Sequence, residues 1–444
     1  MQPGRATARS FAAPPREGPM LFALAVMMAM VVLAPLMTTS DLPFTGEGNP
    51  VRQGIYVAIA LLVVWASRPL EAPRRLLAAP LPLVIALGYC WLSLAWSIAP
   101  GVALRRLVLT CVIAWTICGA VRQLGFEKPV NLLRVVLVVA LVVNFIAVFG
   151  FPATGIHQFN EGGDKTLIGD WRGIMMQKNF AGALCAVTIL MFLFDARAVP
   201  KPLRIGVVVA SLGFLIETGS KTSLGMGLAA AGAGILYLRY HARYRVAVIS
   251  AVLIVGLAGS LAVNIFVDPV RKTLNDPHAF TGRTQIWDTL ARYSADHGLL
   301  GAGYESFWNI GPSSPIYQYG TDWVLHLTAG HNGFMDLLVQ IGLPGLVLVI
   351  AMVVVWPLVR LLGSRQAQGQ RGALTLALLA FCVGHNMTES SMLERDVIVE
   401  VFLMFAIAFV WVLSATPATS VPFSFADLRD VRDRVGRRPS PARS

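Results

Sequence analysis

Charge is what this sequence lacks. Asp, Glu, Lys and Arg make up 14% of its 444 residues, where ordinary globular chains carry about 25%, so a soluble fold is excluded. Disorder is excluded too, because it needs low hydrophobicity and 56% of the residues are hydrophobic. Cysteine is scarce and unpatterned. Cys90, Cys111, Cys118, Cys185 and Cys382 all lie inside apolar runs, with no Cys-x-x-Cys pair. Cys111 and Cys118 stand ~10.5 Å apart along one helix, beyond disulfide reach. All five read as small hydrophobes. No histidine carries metal-ligand spacing, and His157, His278, His297 and His326 read as surface or hydrogen-bonded residues.

The apolar residues gather in runs at 20–39, 51–67, 78–97, 103–121, 130–150, 179–195, 204–219, 222–239, 246–267, 343–362, 372–388 and 397–415. Each is close to the ~20 residues that cross a bilayer. The first, behind Arg5, Arg9 and Arg16, lacks a clear small-residue cleavage site and reads as a retained signal anchor. A net charge of +12 can mean nucleic acid, but in so apolar a chain the positive-inside rule accounts for it, and no nucleic-acid partner is implied. With the N-terminus in the cytoplasm, 24 of the 36 basic residues fall on the inner side, six of them arginines of the tail after Asp427. The expectation is an all-α polytopic inner-membrane protein of about twelve transmembrane helices with both termini cytoplasmic. It divides into a cytoplasmic segment 1–19, helices 1–9 over 20–267, a large partly helical periplasmic loop with an interfacial helix over 268–342, helices 10–12 over 343–415, and a basic tail 416–444.

The twelve basic residues left outside are not explained by orientation: Arg52, Arg105, Arg106, Lys165, Arg172, Lys178, Lys221, Arg271, Lys272, Arg283, Arg292 and Arg395. Most fall in four outer segments. The loop 151–178 also holds His157, Glu161, Asp164 and Asp170. A short turn holds Glu217, Ser220, Lys221 and Ser223. The loop 268–331, at about 64 residues, is far longer than a connection requires and is rich in Trp, Tyr and Gly. Within it, Thr284 to Tyr293 reads as an amphipathic helix with Ile286, Leu290 and Tyr293 on one face. The last turn runs from His385 and Asn386 through Glu389 to Arg395. An aromatic cap over a basic floor suits a polyanionic or sugar-bearing ligand.

The sharpest local pattern is His331 to Leu343. Asn332, Asp336 and Gln340 recur at i, i+4, i+8, forming one polar stripe on a helix, which Gly342-Leu343-Pro344-Gly345 interrupts. That stretch makes only ~16 Å of helix, so it is expected to lie at the outer surface and to place His331 at the mouth of the membrane domain. Plainer readings stand beside each candidate. His331 can satisfy backbone groups at a helix start, Arg283 can neutralise loop acids, and Glu389 can cap a helix near Arg395. Lys221, Lys178, Arg105 and Arg106 can be interfacial anchors that snorkel.

These stretches together resemble the bacterial O-antigen ligase and O-antigen or exopolysaccharide polymerase superfamily. The likeness rests on several pieces in order. They are Trp96-Ser97-Ile98-Ala99-Pro100-Gly101 with Arg105-Arg106, Lys178-Asn179, Ser220-Lys221, Thr281-Gly282-Arg283 with Ile286-Trp287, Gly301-Ala302-Gly303, Gly330-His331-Asn332 with Gly342-Leu343-Pro344-Gly345, and Asn386 with Thr388-Glu389-Ser390. They run from about Leu94 to Glu389. Lys221 departs from the arginine frequent in the family. Lysine keeps the charge but loses the bidentate fork.

The resemblance implies a GT-C-like architecture and a metal-independent glycosyltransferase on the periplasmic face, with no cofactor. Its donor would be an undecaprenyl-diphosphate-linked oligosaccharide, held among membrane lipid. The acceptor would be a growing glycan, as in a polymerase, or lipid A–core, as in a ligase. The last turn leans toward exopolysaccharide polymerases. A chain-length regulator and a flippase are the implied protein partners. His331 would be the general base. Arg283 would stabilise the diphosphate leaving group, supported by Lys221, Lys178, Arg105 or Arg106. Asn332 would bind substrate, and Glu389 or Asp336 would orient the histidine or hold the acceptor sugar. A transporter of lipid-linked oligosaccharide or small molecules is the rival of another class. It would need paired charges near the middle of spans, where this sequence has almost none.

Overall fold

The computed structural model describes residues 13–33, 49–158, 167–250 and 283–415. Expectations for 1–12, 34–48, 159–166, 251–282 and 416–444, including Glu161, Asp164, Lys165, Arg271, Lys272 and His278, lie outside these residues. Among the described residues there is no strand, and the protein is an all-α membrane protein. The longer helices are α1 (Glu17–Leu33), α2 (Pro50–Ser67), α3 (Leu81–Ser93), α4 (Pro100–Leu124), α5 (Glu127–Gly150), α6 (Lys178–Leu193) and α7 (Lys201–Glu217). They continue with α8 (Lys221–Tyr237), α9 (Arg283–His297), α10 (Gly333–Val349), α11 (Gln370–His385) and α12 (Ile398–Ala415). Five helical rods are long and apolar enough to cross a membrane: α2, α4, α5, the rod Gly333–Gly363 that begins with α10, and α12.

Burial separates core from lipid-facing surface. α12 is apolar on all sides and nearly every residue is buried, as a central helix must be. On α5 the exposed residues Val135, Val139, Val142, Ile146 and Phe149 recur every three or four positions. On α7 the exposed Ile205, Val209, Leu212 and Ile216 do the same. Apolar stripes left bare in this way belong against hydrocarbon rather than water. Polar ends are closed from inside. The guanidinium of the buried Arg134 donates to the carbonyls of Met191, Phe194 and Asp195, meeting acceptors that the end of α6 leaves without helical partners.

α10 carries the break that builds the site. The Asn332 side chain accepts from the backbone N–H groups of Phe334 and Met335 and so starts the helix. The interruption expected at Gly342 is present, at φ 68° and ψ 178°, and it parts the short helical piece that follows His331 from the apolar helix beyond it. At the break, Leu343 N–H donates to the Gly298 carbonyl at 2.8 Å, and the Val339 carbonyl accepts from Ala302 N–H at 2.8 Å. The 298–302 turn thus takes over a hydrogen bond that the helix has given up. Pro344, lacking an N–H, sits just after the break without costing a further bond. A Cβ on Gly342 would lie 2.3 Å from the Leu299 carbonyl oxygen, so only glycine allows the approach.

The same turn ties the chain together at a second place. Trp96 Nε1 donates to the Leu300 carbonyl at 2.9 Å, Ile98 N–H to Ala302 at 2.9 Å, and the Ser97 and Ser306 hydroxyls share a 2.6 Å bond. Two motifs recognised separately in the sequence, 96–101 and 301–303, are one contact.

Candidate active site

Glu389 is the meeting point. The Asn386 side chain folds the 386–391 turn by accepting from the Ser391 N–H and hydroxyl at 2.9 and 3.1 Å, which leaves the Glu389 carboxylate only 7% exposed. Three donors converge on it: Asn179 Nδ2 at 2.7 Å, Arg283 Nη2 at 2.5 Å and His331 Nδ1 at 3.1 Å. Arg283 also donates to the Thr388 carbonyl. Burial pushes the Glu389 carboxyl up, but the His331 hydrogen bond and the Arg283 charge outweigh it and hold the group below the ordinary glutamate value.

An ionised carboxylate only accepts, so the proton of a neutral His331 ring sits on Nδ1 and Nε2 is left as a bare lone pair. Nε2 has no protein partner among the described residues, and the side chain is 24% exposed. His331 itself stands at φ 50°, a strained backbone region for any residue with a Cβ and one that concentrates at functional sites. Asn332, next to it, donates from its side chain to the Met387 carbonyl and from its backbone to Ser390 Oγ, both at 3.1 Å.

Asp336 is fully committed. It accepts from Trp308 Nε1 at 2.8 Å, from Gly330 N–H at 3.1 Å and from the Ser390 hydroxyl. Of the two acids proposed to orient the histidine, Glu389 touches the ring, while Asp336 fixes the Gly330 backbone and the 390 turn on either side of it.

Helix starts surround this group. Asn179 is the second residue of α6, Ser220 caps α8, Asn332 caps α10, and Arg283 is the first described residue of α9. Helix N-termini carry partial positive charge, and here two of them begin with a cation, Lys178 or Lys221, where a carboxylate would ordinarily be preferred. Lys178 pairs with Asp170 at 2.6 Å. Lys221 is exposed and makes no hydrogen bond or ion pair among the described residues. Such an end favours an anion.

The structure does not bring every candidate to Glu389. Arg105 is exposed on α4. Arg106 is buried, and its guanidinium donates to the carbonyls of Glu305, Trp308 and Asn309 at 2.7, 3.0 and 2.9 Å. It stands in the wall of a neighbouring cleft.

Other residues were not singled out as site members in the sequence. Asn179 Oδ1 accepts from Ser220 Oγ at 3.0 Å, Ser220 bonds Ser223 at 3.0 Å, and Ser223 meets His385 Nε2 at 3.3 Å. This buried chain backs Glu389 from below. The signal for it was faint: hydroxyl and amide residues at the starts of two apolar runs, whose ordinary reading is helix capping.

The fold and site together define an integral membrane protein with a histidine–carboxylate–arginine centre at one end of its helices. Residues 206–350, about a third of the chain, match the family model described as O-antigen ligase. The match spans Lys221, Arg283, His331 and Asp336, and it supports the O-antigen ligase and polymerase superfamily and a glycosyl-transfer activity of that type. No curated protein matches the chain.

Proposed function

We propose that the protein is a periplasmic-face glycosyltransferase that moves an undecaprenyl-diphosphate-linked glycan onto a sugar acceptor, joining exopolysaccharide or O-antigen repeat units to one another. The observation that carries this reading is the Glu389-centred contact that leaves His331 Nε2 bare while Arg283 stands on the same carboxylate. In the reaction, Nε2 takes the proton of an acceptor hydroxyl as its oxygen bonds the anomeric carbon of the donor sugar. The bond from that carbon to the diphosphate oxygen breaks, and undecaprenyl diphosphate leaves with the electron pair. The imidazolium formed is neutralised by Glu389 and returns its proton to solvent. Charge growing on the diphosphate is met by Arg283, by Lys221 and by the helix starts, groups already in place before the reaction. The apolar stripes of the bundle would accommodate the polyprenyl tail.

Transfer to lipid A–core, as in a ligase, is the alternative within the superfamily. The serine- and carboxylate-bearing turn 386–391, which resembles exopolysaccharide polymerases, favours polymerisation. The proposed orientation has twelve membrane spans, both termini in the cytoplasm and the Glu389 centre outside. A chain-length regulator and a flippase are the partners that such a polymerase needs.

The test is deletion of the gene followed by analysis of lipid-linked and surface glycan. Single repeat units left on the carrier or on lipid A–core are expected. Full-length chains retained on the carrier would instead mark a ligase, and an unaltered glycan profile would overturn both.

A further inference from the structure

Beside the Glu389 centre lies a second, open polar cleft. It is bounded by the 305–309 loop, the start of α10 and the 390–395 segment. Asp336 and Ser390 form its wall toward His331. Its other polar groups are Arg106, Glu305, Gln340, Glu394 and Arg395.

The electrostatics differ from those of an anion site. The two guanidiniums face three carboxyls, those of Glu305, Asp336 and Glu394, so the cleft has no surplus positive charge for a diphosphate. Both arginines are also occupied. Arg106 holds three backbone carbonyls, and Glu305 lies 3.5 Å from each of Arg106 and Arg395.

What remains unspent is Glu394, whose carboxyl makes no hydrogen bond or ion pair among the described residues. The Gln340 Nε2 group is unspent as well, since only its Oε1 is used, accepting from Glu305 N–H at 2.8 Å. The backbone around these groups is held under strain. Glu305, Asn309 and Arg395 stand at φ 53°, 54° and 22°, sparsely populated conformations that cluster at ligand clamps.

We propose that this cleft is the acceptor subsite and binds an uncharged, polyhydroxylated glycan through Glu394 and Gln340. The proposal rests on the glycosyl-transfer reading above. A carboxyl and a carboxamide lining one cleft can accept from and donate to the hydroxyls of a sugar. The cleft wall formed by Ser390 and Asp336 also holds Asn332 and Gly330, the two neighbours of His331. A glycan seated there presents its next hydroxyl toward Nε2, while the donor diphosphate is held on the opposite side by Arg283 and Lys221. Two substrates then meet across one histidine, each in a cleft whose charge suits it.

The test uses the full chain in lipid nanodiscs and two probes titrated separately: the lipid-free repeat-unit glycan of the producing strain, and undecaprenyl diphosphate. Glu394→Ala removes a group without a protein partner, so folding is preserved, and Gln340→Ala provides a second variant. Each is expected to weaken glycan binding about tenfold, the loss of one hydrogen bond involving a charged or buried group, with undecaprenyl diphosphate binding unchanged. Arg283→Ala is expected to show the reverse. Equal glycan affinity in wild type and both variants, or no glycan binding by wild type, would overturn the subsite. Glycan binding lost in the two variants, in a protein that transfers nothing from a lipid-linked donor, would sink the proposed function and leave the subsite standing.

Discussion

The two polar clefts share Asp336 and Ser390 and hold arginines alike, yet they use them in opposite ways. At the Glu389 centre, Arg283 and His331 lean on one carboxylate, while Lys221 stays exposed at a helix start. In the neighbouring cleft, Arg106 is consumed by three carbonyls and an acid goes unpaired. A count of basic residues does not separate these cases. What separates them is what each charge is spent on: three backbone carbonyls of one loop hold Arg106 as scaffold, whereas Arg283 shares the carboxylate that holds the His331 ring.

The largest effects are expected where the comparison is sharpest. His331→Ala removes the bare, partly exposed ring nitrogen held by Glu389 and should lower transfer by ~10²–10⁴-fold. Arg283→Ala removes a donor aimed at developing charge and should cost roughly 10²–10³-fold. Both variants should remain in the membrane. Gel analysis of surface polysaccharide checks this, and normal high-molecular-weight glycan from either variant would break the assignment.

Arg106 should behave as scaffold. Arg106→Ala leaves three buried carbonyls and Glu305 short of a partner, and losing one side of a buried pair costs about 3–5 kcal/mol. The expected signature is a clear fall in thermal stability with undecaprenyl diphosphate binding retained at permissive temperature. Loss of that binding without loss of stability would move Arg106 to the donor side. Lys221 should do the opposite. Lys221→Ala is expected to weaken undecaprenyl diphosphate binding by about tenfold, one charge-assisted contact, with the melting temperature unmoved. Lys221→Arg should match or exceed wild type, because the planar fork suits phosphate better.

Most of the helices were legible in the sequence because lipid and core impose the same requirement, a run of apolar residues. Eleven of the apolar runs correspond to described helices, and the twelfth, 246–267, lies almost wholly outside the described residues. Arg283 stood out as a basic residue that the expected orientation does not explain, His331 as the head of a polar stripe, and Glu389 by its place in the 386–391 turn. Their convergence was not legible, since it depends on segments meeting across more than two hundred residues of chain, from Asn179 to Glu389. Nor was the division between Arg105 and Arg106. Adjacent residues on a helix point about 100° apart, and only the partner loop decides which is buried. The acceptor cleft was hidden for a related reason: Glu305 and Glu394 belong to no periodic pattern and meet only because the chain turns through left-handed residues.

The smallest effect bears on the charge of that cleft. Burial, with Glu305 close by, pushes the Glu394 carboxyl up to about 8 from an ordinary 4.5. The folded protein therefore keeps this proton through a range in which the unfolded chain has released it. Its contribution to stability is complete below the unfolded value and is lost as the pH rises toward and through the folded one. The melting temperature of wild type should fall between about pH 5 and 8, and Glu394→Gln, which has nothing to titrate, should flatten that slope. Glu389 has the opposite sign. Its lowered value gives stability that is present above the ordinary 4.5 and lost only in more acidic solution, so its substitution leaves the slope between pH 5 and 8 as it was. Equal slopes in wild type and Glu394→Gln would show that the carboxyl is ionised and paired at neutral pH, and the cleft would then carry the same kind of spent charge as Arg106.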